Sequence, residues 1–349
     1  MTGIAESLIH WHARHGRHDL PWQRERTAYR VWVSEIMLQQ TQVSTVIGYY
    51  ERFLQRFPDI ATLAGAPPDE VLHLWSGLGY YSRARNLQRA AQCVLAEHGG
   101  SLPDERDALA RLPGIGRSTA AAIIALVHGR REPILDGNVK RVLARYFGID
   151  GAPDKRETQQ ELWRRAEQCT PEAQVDLYTQ AIMDFGATLC RRRKPLCSQC
   201  PLSRQCVARR SGRVDELPTA RIVSRRPKRG IVMLLARRKD GQILLQRRPE
   251  EGIWGGLWTL PEFTNQQAAR RFCRTKLQRA RLESEPLPRM RHAFTHFELE
   301  ITPLRASCSG ICAVMEGPQM LWYNPREPAR IGLPAPIAAL LSAPGNIKS

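Results

Sequence analysis

A chain of 349 residues exceeds the roughly 250–300 residues at which a single hydrophobic core stops growing, so two domains are expected. An apolar fraction of 42% fills two such cores and argues against global disorder, while a formal net charge of +18 suits a polyanionic partner. A basic protein with no nucleic-acid role would carry the same balance, so charge alone does not decide. No apolar run approaches the roughly 20 residues of a membrane span, and the polar residues 1–20 lack the apolar centre of a signal peptide. The nine cysteines are Cys93, Cys169, Cys190, Cys197, Cys200, Cys206, Cys273, Cys308 and Cys312. Odd in number and unevenly spaced, they make no disulfide framework, and a reducing cytoplasm is the expected location.

Over residues 1–210 apolar residues recur every three or four positions, the pattern of a mainly helical domain. Residues 28–50 read as one helix followed by another, with Val33, Ile36 and Met37 on the buried stripe. Ser82 is a plausible N-cap for a helix over 82–98, which Gly99 and Gly100 stop. An alanine-rich helix over 117–128 ends at Gly129, Pro133 breaks the chain, and helical periodicity resumes over 138–147. Residues 211–229 are polar, basic and aperiodic, a linker whose charges also suit a phosphate backbone. Beyond it, residues 230–349 read as an α+β domain. Strands over 231–236 and 242–247 flank the turn Lys239-Asp240-Gly241, a helix covers 265–280, and Phe297, Leu299 and Ile301 alternate with glutamates as in a half-buried strand.

Cys190, Cys197, Cys200 and Cys206 have the spacing C-x6-C-x2-C-x5-C. Thiolates crowded in this way point to a metal site. Structural zinc usually takes two short pairs, whereas this segment has one short pair with wider outer ligands, which suits a four-iron cluster. Zinc, or no ligation at all, stays open at this level. Arg191, Arg192, Arg193 and Lys194 lie inside the loop, either held toward phosphates or balancing the charge of the site.

Leu112-Pro113-Gly114-Ile115-Gly116 lies between helical segments, and its glycines let backbone N–H groups face a phosphate at the next helix N-terminus. Many helix pairs turn on glycine without binding anything. Asp136, just before a helix, is expected to act as an N-cap with a lowered pKa, although most aspartates so placed are only caps. Glu35 has Val31, Trp32 and Leu38 on its side of a helix. Desolvation there would raise its pKa and favour proton donation, while the plain alternative is a solvated helix glutamate. One acid held protonated and one held charged is what cleavage of a glycosidic bond requires.

Taken together, these segments resemble the helix-hairpin-helix DNA glycosylases, and within them the MutY-type adenine DNA glycosylase family. The motifs that carry the resemblance run over nearly the whole chain. They are Ser34-Glu35-Ile36-Met37-Leu38-Gln39-Gln40-Thr41-Gln42, Gly77-Leu78-Gly79-Tyr80-Tyr81-Ser82-Arg83-Ala84-Arg85-Asn86, the hairpin at 112–120, the segment Leu135-Asp136-Gly137-Asn138-Val139-Lys140-Arg141-Val142 and the cysteine spacing. The resemblance implies a mainly α helix-hairpin-helix glycosylase domain over 1–210, with an iron–sulfur loop at 190–206 and one 4Fe-4S cluster. It implies a Nudix-like α+β lesion-recognition domain over 230–349.

Residue by residue, the resemblance makes Glu35 the general acid, Asp136 the carboxylate that stabilises the positive sugar, and Asn138 its support. Gln39, Gln40 and Tyr80 match residues that fill the duplex when adenine is turned out, an event that costs a few kcal/mol. Without the motifs these would be ordinary helix polar residues and a core tyrosine. Gly114, Gly116, Ser118 and Lys140 fall where the family meets DNA. Endonuclease III-like relatives carry a lysine at the position of Ser118, and serine forms no Schiff base, which points to base release without strand cleavage.

The C-terminal domain has no G-x5-E-x7-R-E-x2-E-E-x-G box between Gly241 and Arg281, so Mg²⁺-dependent pyrophosphatase activity and a nucleotide cofactor are not expected. Phe294, Thr295 and His296 match the loop that senses the oxidised guanine, with threonine where the family usually has serine; a strand-turn pair in an ordinary core is the plainer reading. The expectation is therefore a monomeric, DNA-associated enzyme that removes adenine opposite 8-oxoguanine or guanine in double-stranded DNA. Its rivals are a glycosylase/lyase acting on oxidised pyrimidines and a non-catalytic iron–sulfur DNA-binding regulator.

Overall fold

The computed structural model describes residues 3–220, 226–277, 280–283, 287–308 and 317–343. Cys312 and part of the expected linker lie outside the described residues. Two compact units emerge, one formed by Met1–Gly65 with Asn86–Ile222, the other by Ala66–Arg85 with Val223–Ser349.

The first unit is helical. Residues 28–50 divide into helices Ala28–Leu38 and Val43–Arg56, and the first of them begins where Thr27 accepts a hydrogen bond from the Arg30 N–H at 3.3 Å. At its centre runs Arg117–His128, whose buried face includes Ala120, Ala121, Ala122 and Ala125. These short side chains let it pack closely against Ala28–Leu38, Arg106–Arg111 and Val175–Thr188. Gly129, at φ 63°, takes the left-handed position that ends this helix. Helix Gly137–Phe147 follows, capped by Asp136 and closed by Gly148 at φ 69°.

Leu8, Trp11, Leu143, Leu162, Ile182 and Phe185 are among the residues that build the core beneath these helices. The fully buried Asp184 pins the segment after helix Gly3–His15 to Val175–Thr188. It accepts from the Arg17 backbone N–H at 2.8 Å and from Gln180 Nε2 at 3.1 Å, and it lies 3.2 Å from His12 Nε2. A buried carboxylate so fully partnered is tolerated; an unpaired one would not be.

The second unit is a sheet with helices. Its strands are β1 (Lys228–Arg238), β2 (Ile243–Arg247), β3 (Trp258–Thr259), β4 (Glu262–Phe263), β5 (Ala280–Leu282), β6 (Met290–Ala293), β7 (Glu298–Cys308) and β8 (Met320–Tyr323). The order is β3-β2-β1-β7-β5, with β4 on β1, β6 on β7 and β8 on β2. β1 and β7 run parallel in register from Lys228↔Glu298 to Arg238↔Cys308, while β1 and β2 form the expected antiparallel hairpin over Gly241.

Helix Gln266–Thr275, capped by Asn265, lays Ala269 and Cys273 on the sheet against Val232, Leu234 and Ala236. It is shorter than the 265–280 expected, because Ala280 pairs with Cys308 as the first residue of β5. A ladder of hydrogen bonds to β7 outweighs local helical preference there.

Candidate active site

Helix Ala28–Leu38 carries Glu35 among the buried Val31, Trp32, Ser34 and Ile36. Burial, and secondarily repulsion from the Asp136 carboxylate, pushes Glu35 up to about 7. The two acids, 101 residues apart in the chain, are thus close enough for the charge of Asp136 to act on Glu35. Asp136 accepts from the Val139 N–H at 2.7 Å as an N-cap and from Asn138 Nδ2 at 3.3 Å.

The expected lowering of Asp136 is not what the structure has. Burial raises its pKa, and the Val139 and Asn138 N–H groups, the Arg141 charge and the Asn138 amide only partly offset this. A cap is worth little against desolvation when the helix N-terminus faces the protein interior. Both acids are thus raised by burial, and negative charge on Asp136 raises Glu35 further, so that Glu35 keeps its proton toward neutrality.

Arg141 was legible only as part of a motif, yet it organises the site. Its Nη2 donates to Asn138 Oδ1 and to the Gly186 carbonyl, each at 2.7 Å, and its Nε donates to the Cys190 carbonyl at 2.8 Å. Asp136, Asn138, Arg141 and Cys190 therefore form one hydrogen-bonded chain. Gly186 is part of the same arrangement, since a Cβ there would lie 2.7 Å from Asn138 Cβ. Arginine one helical turn after Asn138 was the available sequence signal; nothing local marked Gly186.

Around the pair, Ser118 Oγ accepts the Leu135 N–H at 2.9 Å and so holds the extended segment that leads into Asp136. Gln39 donates to Thr119 Oγ1 at 3.4 Å, whereas Gln40 is exposed at φ 60°. Gly114 is exposed at φ 80°, where a Cβ would meet Asn86 Cβ at 2.8 Å, and Gly116 is the N-cap of Arg117–His128. Lys140 is half-buried in the first turn of Gly137–Phe147.

Cys190, Cys197, Cys200 and Cys206 line one pocket, whose other walls include Val142, Phe185, Leu189 and Leu202. Among the described residues no three His, Cys, Asp or Glu side chains are disposed to hold a single metal ion. Burial, with mutual repulsion among the sulfurs, pushes Cys200 up to about 12. Four thiols around one apolar pocket, with no carboxylate or imidazole lining it, fit an iron–sulfur cluster, whose binding would release their protons.

The buried Arg145 serves this pocket from Gly137–Phe147. It donates to Cys190 Sγ at 3.5 Å and to the carbonyls of Leu217 at 2.8 Å, Arg191 at 2.7 Å and Arg192 at 3.3 Å. With the backbone so anchored, the side chains of Arg191, Arg192, Arg193 and Lys194 remain exposed.

In the second unit Tyr80 is 47% exposed at φ 47°, and its hydroxyl lies 3.4 Å from Thr295 Oγ1. A cavity of about 400 Å³ opens beside them, lined by Gly77, residues 79–82 and Arg85, the loop 252–255, the hairpin residues 292–295 and Ala335. Phe294 stacks on Phe297 with ring centroids 4.8 Å apart, and its N–H donates to the Phe297 carbonyl at 2.9 Å. His296 is exposed and outside the cavity wall.

Comparison with known proteins places this geometry in context. Residues 33–168 match the model of the HhH-GPD superfamily base excision DNA repair proteins, and residues 232–343 that of the NUDIX domain. Adenine DNA glycosylase of Buchnera aphidicola subsp. Acyrthosiphon pisum (strain APS) is 38% identical over 339 residues, spanning 97% of this chain and 96% of its own. Among solved structures, a thermostable thymine-DNA glycosylase superposes with a TM-score of 0.55 at 29% identity, covering 60% of this chain and 96% of its own. An endonuclease III from a non-covalent DNA complex has the same fold, with a TM-score of 0.52 at 21% identity over 60% of this chain and 95% of its own.

Proposed function

Since the chain belongs to the adenine DNA glycosylases of the HhH-GPD base excision repair superfamily, we propose that it hydrolyses the N-glycosidic bond of adenine opposite 8-oxoguanine or guanine in double-stranded DNA, leaving the strand intact. The observation that carries this reading is the Glu35/Asp136 pair, in which one buried carboxyl keeps its proton to about 7 beside a second carboxyl held by hydrogen bonds from Val139 and Asn138. Glu35 donates its proton to the departing adenine and then assists the attacking water. Asp136 supplies the negative charge that stabilises the cationic sugar. Asn138 and Arg141 hold Asp136 in position.

Ser118 stands where a lyase needs an amine, and its hydroxyl is engaged with the Leu135 N–H. The N–H groups at Gly114 and Gly116, Lys140 and the exposed basic loop 191–194 meet the phosphates. Gln39, Gln40 and Tyr80 fill the space left in the duplex, and Phe294, Thr295 and His296 face the base opposite adenine. Cys190, Cys197, Cys200 and Cys206 would hold a 4Fe-4S cluster, which when bound cross-links the loop that carries the basic residues.

The test is incubation with duplexes bearing A opposite 8-oxoguanine, A opposite G, or thymine glycol, with and without alkali. Strand breaks only after alkali, and only in the adenine duplexes, are expected. Breaks without alkali, borohydride trapping, or binding without base release would each overturn the proposal.

A further inference from the structure

The indole of Trp254 is buried, 7% exposed, and forms part of the wall of the cavity beside Tyr80 and Thr295. Its centroid lies 5.5 Å from that of His292 and 5.4 Å from that of Phe294. His292 and Phe294 in turn meet edge-to-face at 4.7 Å. Both belong to the hairpin β6–β7 or its turn, the segment that brings Thr295 to the Tyr80 hydroxyl.

The loop that carries Trp254 is held rigidly. Trp254 has φ 55°, an uncommon conformation for a residue with a side chain, between Gly252 at φ 85° and Gly256 at φ 75°. A Cβ on Gly255 would lie 2.0 Å from the Glu250 carbonyl oxygen, so only glycine fits there. Arg85 Nη1 donates to the Gly255 carbonyl at 2.5 Å, the Gly256 N–H to Pro249 at 3.1 Å and the Leu257 N–H to Trp254 at 3.0 Å. Hydrogen bonds thus tie down a loop whose glycines accept the turn, and the loop drives one large ring against the hairpin.

We infer that Trp254 is a positioning residue for discrimination of the base opposite adenine, setting the hairpin 292–295 against Tyr80. This rests on the proposed role of that hairpin in facing the opposing base. A wall that merely filled a core would need bulk alone; here two aromatic contacts converge on the residues next to Thr295.

The experiment compares Trp254→Ala and Trp254→Phe with the parent in single-turnover excision from A:8-oxoguanine and A:G duplexes, with amide exchange at Phe294 measured in each. Removing both ring contacts is expected to lower the ratio of the two rates about tenfold, and to speed exchange of the Phe294 N–H by a similar factor. Trp254→Phe, which keeps a ring, is expected to hold the ratio within about threefold. An unchanged ratio in Trp254→Ala, even where both rates fall together, overturns the inference. A parent that does not distinguish the duplexes overturns the reading of the hairpin itself, and unchanged exchange at Phe294 then separately overturns the claim that Trp254 holds it.

Discussion

The protonation of Glu35 makes the sharpest prediction. With its pKa pushed up to about 7, the carboxyl is protonated to about nine-tenths at pH 6 and about one-tenth at pH 8. If it is the general acid, the single-turnover excision rate is nearly flat below about pH 6 and falls about tenfold between pH 6 and 8. An acid at the ordinary glutamate pKa would give no plateau there; its protonated fraction would fall about a hundredfold over the same interval. Glu35→Gln is expected to lower the rate about 10²–10⁴-fold and to abolish this limb.

Stability falls over the same pH range. A carboxyl raised in the folded state stabilises the fold fully below its unfolded value, and that contribution is lost as pH rises through the folded value near 7. Ionised Glu35 therefore costs up to about 3 kcal/mol above pH 8, and Glu35→Gln melts higher than the parent there while acting more slowly. A rate independent of pH from 6 to 8, together with a Gln variant no more stable at pH 8.5, would refute this account of the acid.

Other substitutions follow the same logic. Asp136→Asn keeps the cap of Gly137–Phe147, since asparagine serves as well at that position, and removes a buried charge, so thermal unfolding near neutral pH is not lowered while excision falls about 10²–10³-fold; full activity in this variant would remove Asp136 from the mechanism. Ser118→Ala strips the acceptor from the Leu135 N–H and is expected to cost about 1–3 kcal/mol in denaturant unfolding, with equal stability arguing that the bond carries nothing. Arg145→Met leaves the carbonyls of Leu217, Arg191 and Arg192 without their donor. Reduced iron per chain and a lower Tm are expected, and a parental iron content would show that the arginine is dispensable for holding the loop.

Much of the candidate site was visible in one dimension because its signals are local. A cysteine spacing, glycines between helices, an aspartate followed by a helix and a glutamate among apolar residues each depend on a few neighbours in the chain. Helix 117–128 was read to the residue for the same reason, with a left-handed glycine at its end. Sequence alone also settled the helical and sheet-bearing halves, since periods near 3.6 and 2 are properties of consecutive residues.

What tertiary structure decided is everything that depends on what lies across a gap. The pKa of Asp136 rises because desolvation is set by every element around it, not by its cap. Gly186 matters through a single approach to Asn138 from another helix. Residues 66–85, which the periodicity of residues 1–210 assigns to the N-terminal domain, pack instead with the C-terminal strands, placing Tyr80 beside Thr295. Helix Gln266–Thr275 stops early because a strand partner in β7 outweighs its own propensity. Proximity and burial belong to the folded chain, because they are sums over neighbours that no short window contains.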